Sequence, residues 1–123
     1  MLLKKDEIKD PIEITDNTTG HKYILDFSRD TVRFAEDRGF SWEALGERPA
    51  TMIPLLWYAA FRRYDPRISQ AKTDAILDKL GGIKPKWVTR LHELYDQALA
   101  SLIAVDEEED EGEGKNLEMT VNL

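Results

Sequence analysis

The chain contains no cysteine, which excludes disulfides, thiolate chemistry and zinc sites that need a cysteine ligand. Histidine is nearly as scarce. His21 lies beside a turn and His92 on a helix flank next to a carboxylate. Neither has the i, i+4 partner of a helical zinc site, nor a nucleophile close in sequence. Of the four serines, Ser28, Ser41 and Ser69 sit where helix caps are expected and Ser101 falls inside a helix. Long apolar runs are also missing. The longest, MIPLLWYAAF from Met52 to Phe61, is far too short to span a bilayer. The opening MLLKKDEIKD has no apolar signal core, so Asn17-Thr18-Thr19 is read as a chance match to a glycosylation acceptor. These gaps lead to the expectation of a cytoplasmic, non-enzymatic protein with no cofactor and no metal.

The charge that is present is unevenly placed. The 123 residues carry 24 acids and 17 bases, but Asp106–Leu123 holds eight of the acids and only one lysine. Residues 1–105 are therefore balanced at 16 of each, and the net charge of -7 belongs to the tail. A balanced body argues against nucleic-acid binding, where clustered Lys and Arg must replace counterions along the phosphates. Arg62, Arg63 and Arg67 form the one basic cluster, at a helix end where cations suit the dipole.

The pattern predicts one α+β domain, mainly α, over residues 11–105, with a flexible lead-in at 1–10. Ile12 and Ile14, then Tyr23, Leu25 and Phe27, alternate at period two around the turn-rich DNTTG, which predicts a β-hairpin over 11–27. About four helices should follow, near 29–38, 51–64, 70–80 and 86–104. Ser28 is the expected cap of the first, with Phe27 and Val32 spaced as a hydrophobic staple and Gly39 closing it. FSWEALGERP reads as a short helical turn broken by Gly46 and Pro49. Thr51 is the expected cap of the second helix, with Pro54 in its first turn. Ser69 or Thr73 starts the third. Gly81-Gly82 ends it and is no phosphate loop, because it follows a helix where such a loop should precede one. Asp26, Asp30, Glu36 and Asp37 have arginines nearby and are expected to form solvated ion pairs.

Two helical surfaces are the main candidates for binding. Met52 to Phe61 is apolar on every side, as in a helix buried all round. In so small a body, neighbouring helices or another subunit must cover Leu56, Trp57, Tyr58 and Phe61. Trp87, Leu91 and Leu94 begin a wide apolar stripe on the last helix, which packs on the core or on a second copy.

Three segments carry a resemblance to a known family: YILDFSRDTVRFAEDRGFSWEAL, PATMIPLLWYAAF and KTDAILDKLGGI. Over roughly residues 12–103 the chain resembles the tail assembly chaperones of long-tailed phages or prophages of Gram-positive bacteria. The resemblance implies a protein made during tail construction in the host cytoplasm and absent from the mature virion. It implies non-covalent binding to the tape measure protein, whose helices expose apolar surface until the tube closes around them, and to tail tube subunits. It also implies that this chain corresponds to the short product of a gene that can frameshift. A homo-oligomer built through the apolar helices is the accompanying expectation.

The tail has two readings. Asp106–Gly114 is too acidic to bury and should stay extended. Beyond it Leu117, Met119, Val121 and Leu123 alternate with Glu118, Thr120 and Asn122. That alternation suggests a strand over 117–123 that docks on a sheet edge of its own hairpin, a neighbouring subunit or a partner. The other reading is a solvated end that maintains solubility. The acid run also supports an alternative function, an acidic adaptor or nucleic-acid mimic that binds a basic protein surface.

Overall fold

Ile12–Thr15 (β1) and Lys22–Leu25 (β2) pair antiparallel, Ile12 opposite Leu25 and Ile14 opposite Tyr23. The computed structural model describes residues 8–103 together with Met119, Val121 and Asn122. The connecting turn is organised by Asp16, whose carbonyl accepts from Gly20 N–H at 2.7 Å and whose side chain accepts from the Thr18 hydroxyl at 2.6 Å. Gly20 takes φ +79°, a conformation side chains disfavour.

Among the described residues five helices follow the hairpin. Ser28 caps Arg29–Asp37 (α1), accepting from Thr31 N–H, while the Thr31 hydroxyl accepts from Ser28 N–H in return. At its other end Gly39 N–H bonds Glu36 O and Phe40 N–H bonds Ala35 O. With Gly39 at φ +92° this is a Schellman closure. Phe27, Val32 and Phe40 are all buried around it. Ser41 caps Trp42–Glu47 (α2), accepting from Ala44 N–H at 2.9 Å. Gly46 lies within this helix and does not break it.

Pro49–Phe61 (α3) starts three residues earlier than a Thr51 cap would place it. Arg48 ends α2 and begins α3 at once: its N–H bonds Ala44 O, and its carbonyl accepts from Thr51 and Met52. Pro49 then takes the first helical position, where no N–H is needed. As a result Pro54 falls inside the second turn, where its ring removes the donor for Ala50 O. Ser69 caps Gln70–Leu80 (α4), and Gly81 closes it at φ +81°. Thr73 is buried within α4, its hydroxyl bonded to Gln70 O. Pro85–Ala100 (α5) is the last helix.

α3 is the centre of the molecule, with β2, α1, α2 and α4 packed on it and α5 packed on α1. Leu56, Trp57, Ala59, Ala60 and Phe61 are almost entirely removed from water. Burial of each large apolar side chain contributes roughly 1.5–3 kcal/mol. The buried indole of Trp57 keeps a hydrogen bond, from Nε1 to Thr73 O at 2.9 Å, which ties α4 to α3. The expected lead-in is partly pinned. Lys9 N–H donates to Gln97 Oε1 at 2.7 Å and Arg90 Nη1 to Asp10 O at 3.0 Å, so residues 9 and 10 lie on α5.

Candidate functional site

The helical surfaces expected to face partners are mostly sealed. Leu56, Trp57 and Phe61 of α3 are buried within the chain, as are Leu91 and Leu94 of α5. The short helices and the hairpin are enough to enclose α3, so no second subunit is needed to cover it. Tyr58 and Trp87 are only partly buried. Tyr58 stacks edge-on against Phe34, and Trp87 stacks on Trp57 with ring centroids 6.2 Å apart. Met119 and Val121 are exposed, while Leu117, Leu123 and the acid run lie outside the described residues.

The charged candidates also have internal partners. Arg63 donates from Nη1 to Asp26 Oδ2 at 2.8 Å and to Phe27 O at 3.0 Å. Asp26 is 5% exposed, so it is not a solvated acid. Burial pushes its carboxyl above the usual range, against the opposing pull of the Phe27 N–H and the Arg63 guanidinium. Both Arg38 and Arg62 lie over the Phe34 ring, 3.7 and 4.1 Å from its centroid. Asp30 and Arg33 do form an exposed pair. His92 stands edge-on to Trp42 at 4.3 Å, with Nδ1 3.8 Å from Asp96 Oδ2. Tyr95 packs in the same aromatic cluster, and burial first, then the Glu36 and Asp96 carboxylates, push its hydroxyl up to about 12. Among the described residues no group of three His, Asp or Glu side chains is placed to hold a metal ion. No helix among them is long and apolar enough to cross a membrane.

An open apolar surface lies beside β1. In an antiparallel pair each residue turns its N–H and C=O either toward the partner strand or away from it. Asp16 N–H donates to His21 O at 2.8 Å, so Ile14 and Ile12 also face β2. Glu13 and Thr15 must then present their backbone groups outward, where no other described strand pairs with them. Just past β2, Asp26 N–H donates to Ala60 O at 3.0 Å, while Lys22, Tyr23 and Ile24 border a separate hollow with Phe61 and Tyr64.

Alongside β1 run two adjoining hollows of about 180 and 240 Å³ that share Ile14, Thr15 and Leu80. Ile12, Ile14, Ile76, Leu80 and Trp87 supply apolar walls, and buried Trp57 lies beneath. Lys72 and Lys79 stand on the rim with Asp16. The Thr18 hydrogen bonds hold the Asp16 carboxyl below its usual range, and Lys79 adds to that effect. Lys84 extends the basic side, its Nζ 5.6 Å from the Trp87 ring centroid. An apolar groove with a free strand edge and a partly basic rim is suited to an extended peptide. Backbone hydrogen bonds give such a contact affinity, and pockets for alternate side chains give it selectivity.

Of the groove walls, the sequence singles out Ile12 and Ile14 on one hairpin face and Trp87 on the stripe of α5, but not Ile76 or Leu80. Ile76 and Leu80 were read only as part of a helix leading to its glycine cap. The available signal was the strand count, because a hairpin with no third strand must leave edges. No curated protein and no solved structure matches the chain. The model of a family described as a domain of unknown function (DUF5055) matches residues 4–123, and the chain belongs to that family.

Proposed function

We propose that the chain is a phage tail assembly chaperone that binds the tape measure protein, and tail tube subunits, without covalent chemistry. The observation that carries this reading is the apolar groove beside β1, bordered by strand backbone that pairs with no other strand among the described residues. Apolar surface left open on a folded protein commonly marks a contact site. The resemblance of residues 12–103 to tail assembly chaperones supplies the client. The client surface proposed is the groove, not the α3 and α5 faces, which are sealed in the core.

The test is titration of the chain with segments of the tape measure protein, followed by calorimetry at low and high salt. Binding that persists in high salt and is lost in Leu80→Arg supports the reading. Absence of binding to every segment removes it. Binding that collapses with salt and is indifferent to Leu80→Arg favours the acidic adaptor.

A further inference from the structure

We infer that the C-terminal segment, residues 117–123, docks on the outer edge of β1 in its own chain and covers the groove. Glu13 and Thr15 face outward with no other described strand beside them, and Met119 and Val121 are 71% and 79% exposed. A strand added to β1 would place alternate side chains on the same face as Ile12 and Ile14. Leu117, Met119, Val121 and Leu123 are the alternate set, and that face is the one the groove walls enclose.

Reach and charge both favour the tail as occupant. Trp87 borders the groove and Ala100 ends the same helix, about 20 Å away at the helical rise. Residues 101–116 span up to about 50 Å when extended, so the segment reaches the groove with slack. A short tether of this kind gives an effective concentration of order millimolar, which favours the tail over a second copy. The segment follows the acidic run Asp106–Glu113, and the groove is bordered by Lys72 and Lys79, with Lys84 beside its Trp87 wall. The family match runs through residue 123, so the segment is part of the matched domain.

The docking itself needs no client. Its consequence, that a client must displace the tail, rests on the chaperone reading above. The docking test is therefore performed without client, by amide hydrogen exchange on the full chain and on a full-length Met119→Asp, Val121→Asp variant. The Glu13 and Thr15 amides should exchange at least about tenfold more slowly in the unchanged chain. A peptide of residues 115–123 should restore protection to the variant, and Leu80→Arg should remove it from the unchanged chain. Sedimentation should give a monomer throughout. Equal exchange in chain and variant overturns the proposal. Protection that survives Leu80→Arg overturns it too, as does protection that appears only with a dimer, since a second copy would then be the occupant. If docking holds and no tape measure segment binds, the chaperone reading alone fails.

Discussion

α3 and β1 are both rich in large apolar side chains, yet they meet opposite fates. Most of α3 beyond its first turn is enclosed, with Leu56 and Trp57 at zero exposure. Among the described residues β1 has one strand neighbour, and its Ile12 and Ile14 are only half-buried. A helix satisfies its own backbone and needs only apolar cover, which four surrounding elements provide. A strand satisfies half of its backbone per neighbour, so a two-stranded hairpin leaves outward groups whatever its side chains do. In this molecule the covered helix supplies stability, and the strand left open among the described residues is the place proposed for binding.

That contrast can be broken at several points. Trp57→Ala should have the largest effect, about 3–5 kcal/mol in urea unfolding, because it opens a cavity and releases the hydrogen bond to α4. A loss under about 1 kcal/mol would mean that α3 is not the sealed element described.

Arg63→Ala should cost about 2 kcal/mol at neutral pH, less than for a fully buried pair because the arginine is partly exposed. Asp26 would then be a buried carboxylate without its counter-charge. Its folded-state pKa is already raised by burial, and losing the guanidinium raises it further. A raised acid favours the folded state at low pH, and that contribution is lost as pH rises through the folded value. The deficit of the variant should therefore shrink as pH falls below the carboxylate range. Unfolding curves at pH 7 and pH 4 with equal deficits would remove this account.

Ser28→Ala should cost about 1 kcal/mol by loss of the α1 cap, measurable as a lower urea midpoint with unchanged slope. Leu80→Arg should be the mildest, within about 0.5 kcal/mol, because Leu80 is on the rim and 38% exposed. Its effect should appear in peptide and client binding instead. A variant that is as unstable as Trp57→Ala would place Leu80 in the core and erase the distinction between the two regions.

Local signals in the sequence were read well where the physics is local. Ser28, Ser69, Gly39 and Gly81 act within one helical turn of themselves, and each ends or begins a helix as expected. The hairpin followed from period-two alternation around a turn that needs Gly20. The start of α3 was misplaced because Arg48 serves two helices at once, which no single helix pattern contains. The apolar stripes of α3 and α5 were recognised, but not what covers them, since composition cannot say which neighbour arrives.

The amino-acid order alone determined where the elements form and that the body is electrically balanced, because capping, turn chemistry and periodicity act over a few residues. Only the tertiary structure decided which apolar face stays open. Burial depends on elements far apart in the chain: Thr73 O meets Trp57, Arg63 meets Asp26, and Leu80 and Trp87 come to lie beside β1. Those distances are set by how the helices close around α3, and that closure leaves the outer edge of β1 without a partner strand among the described residues.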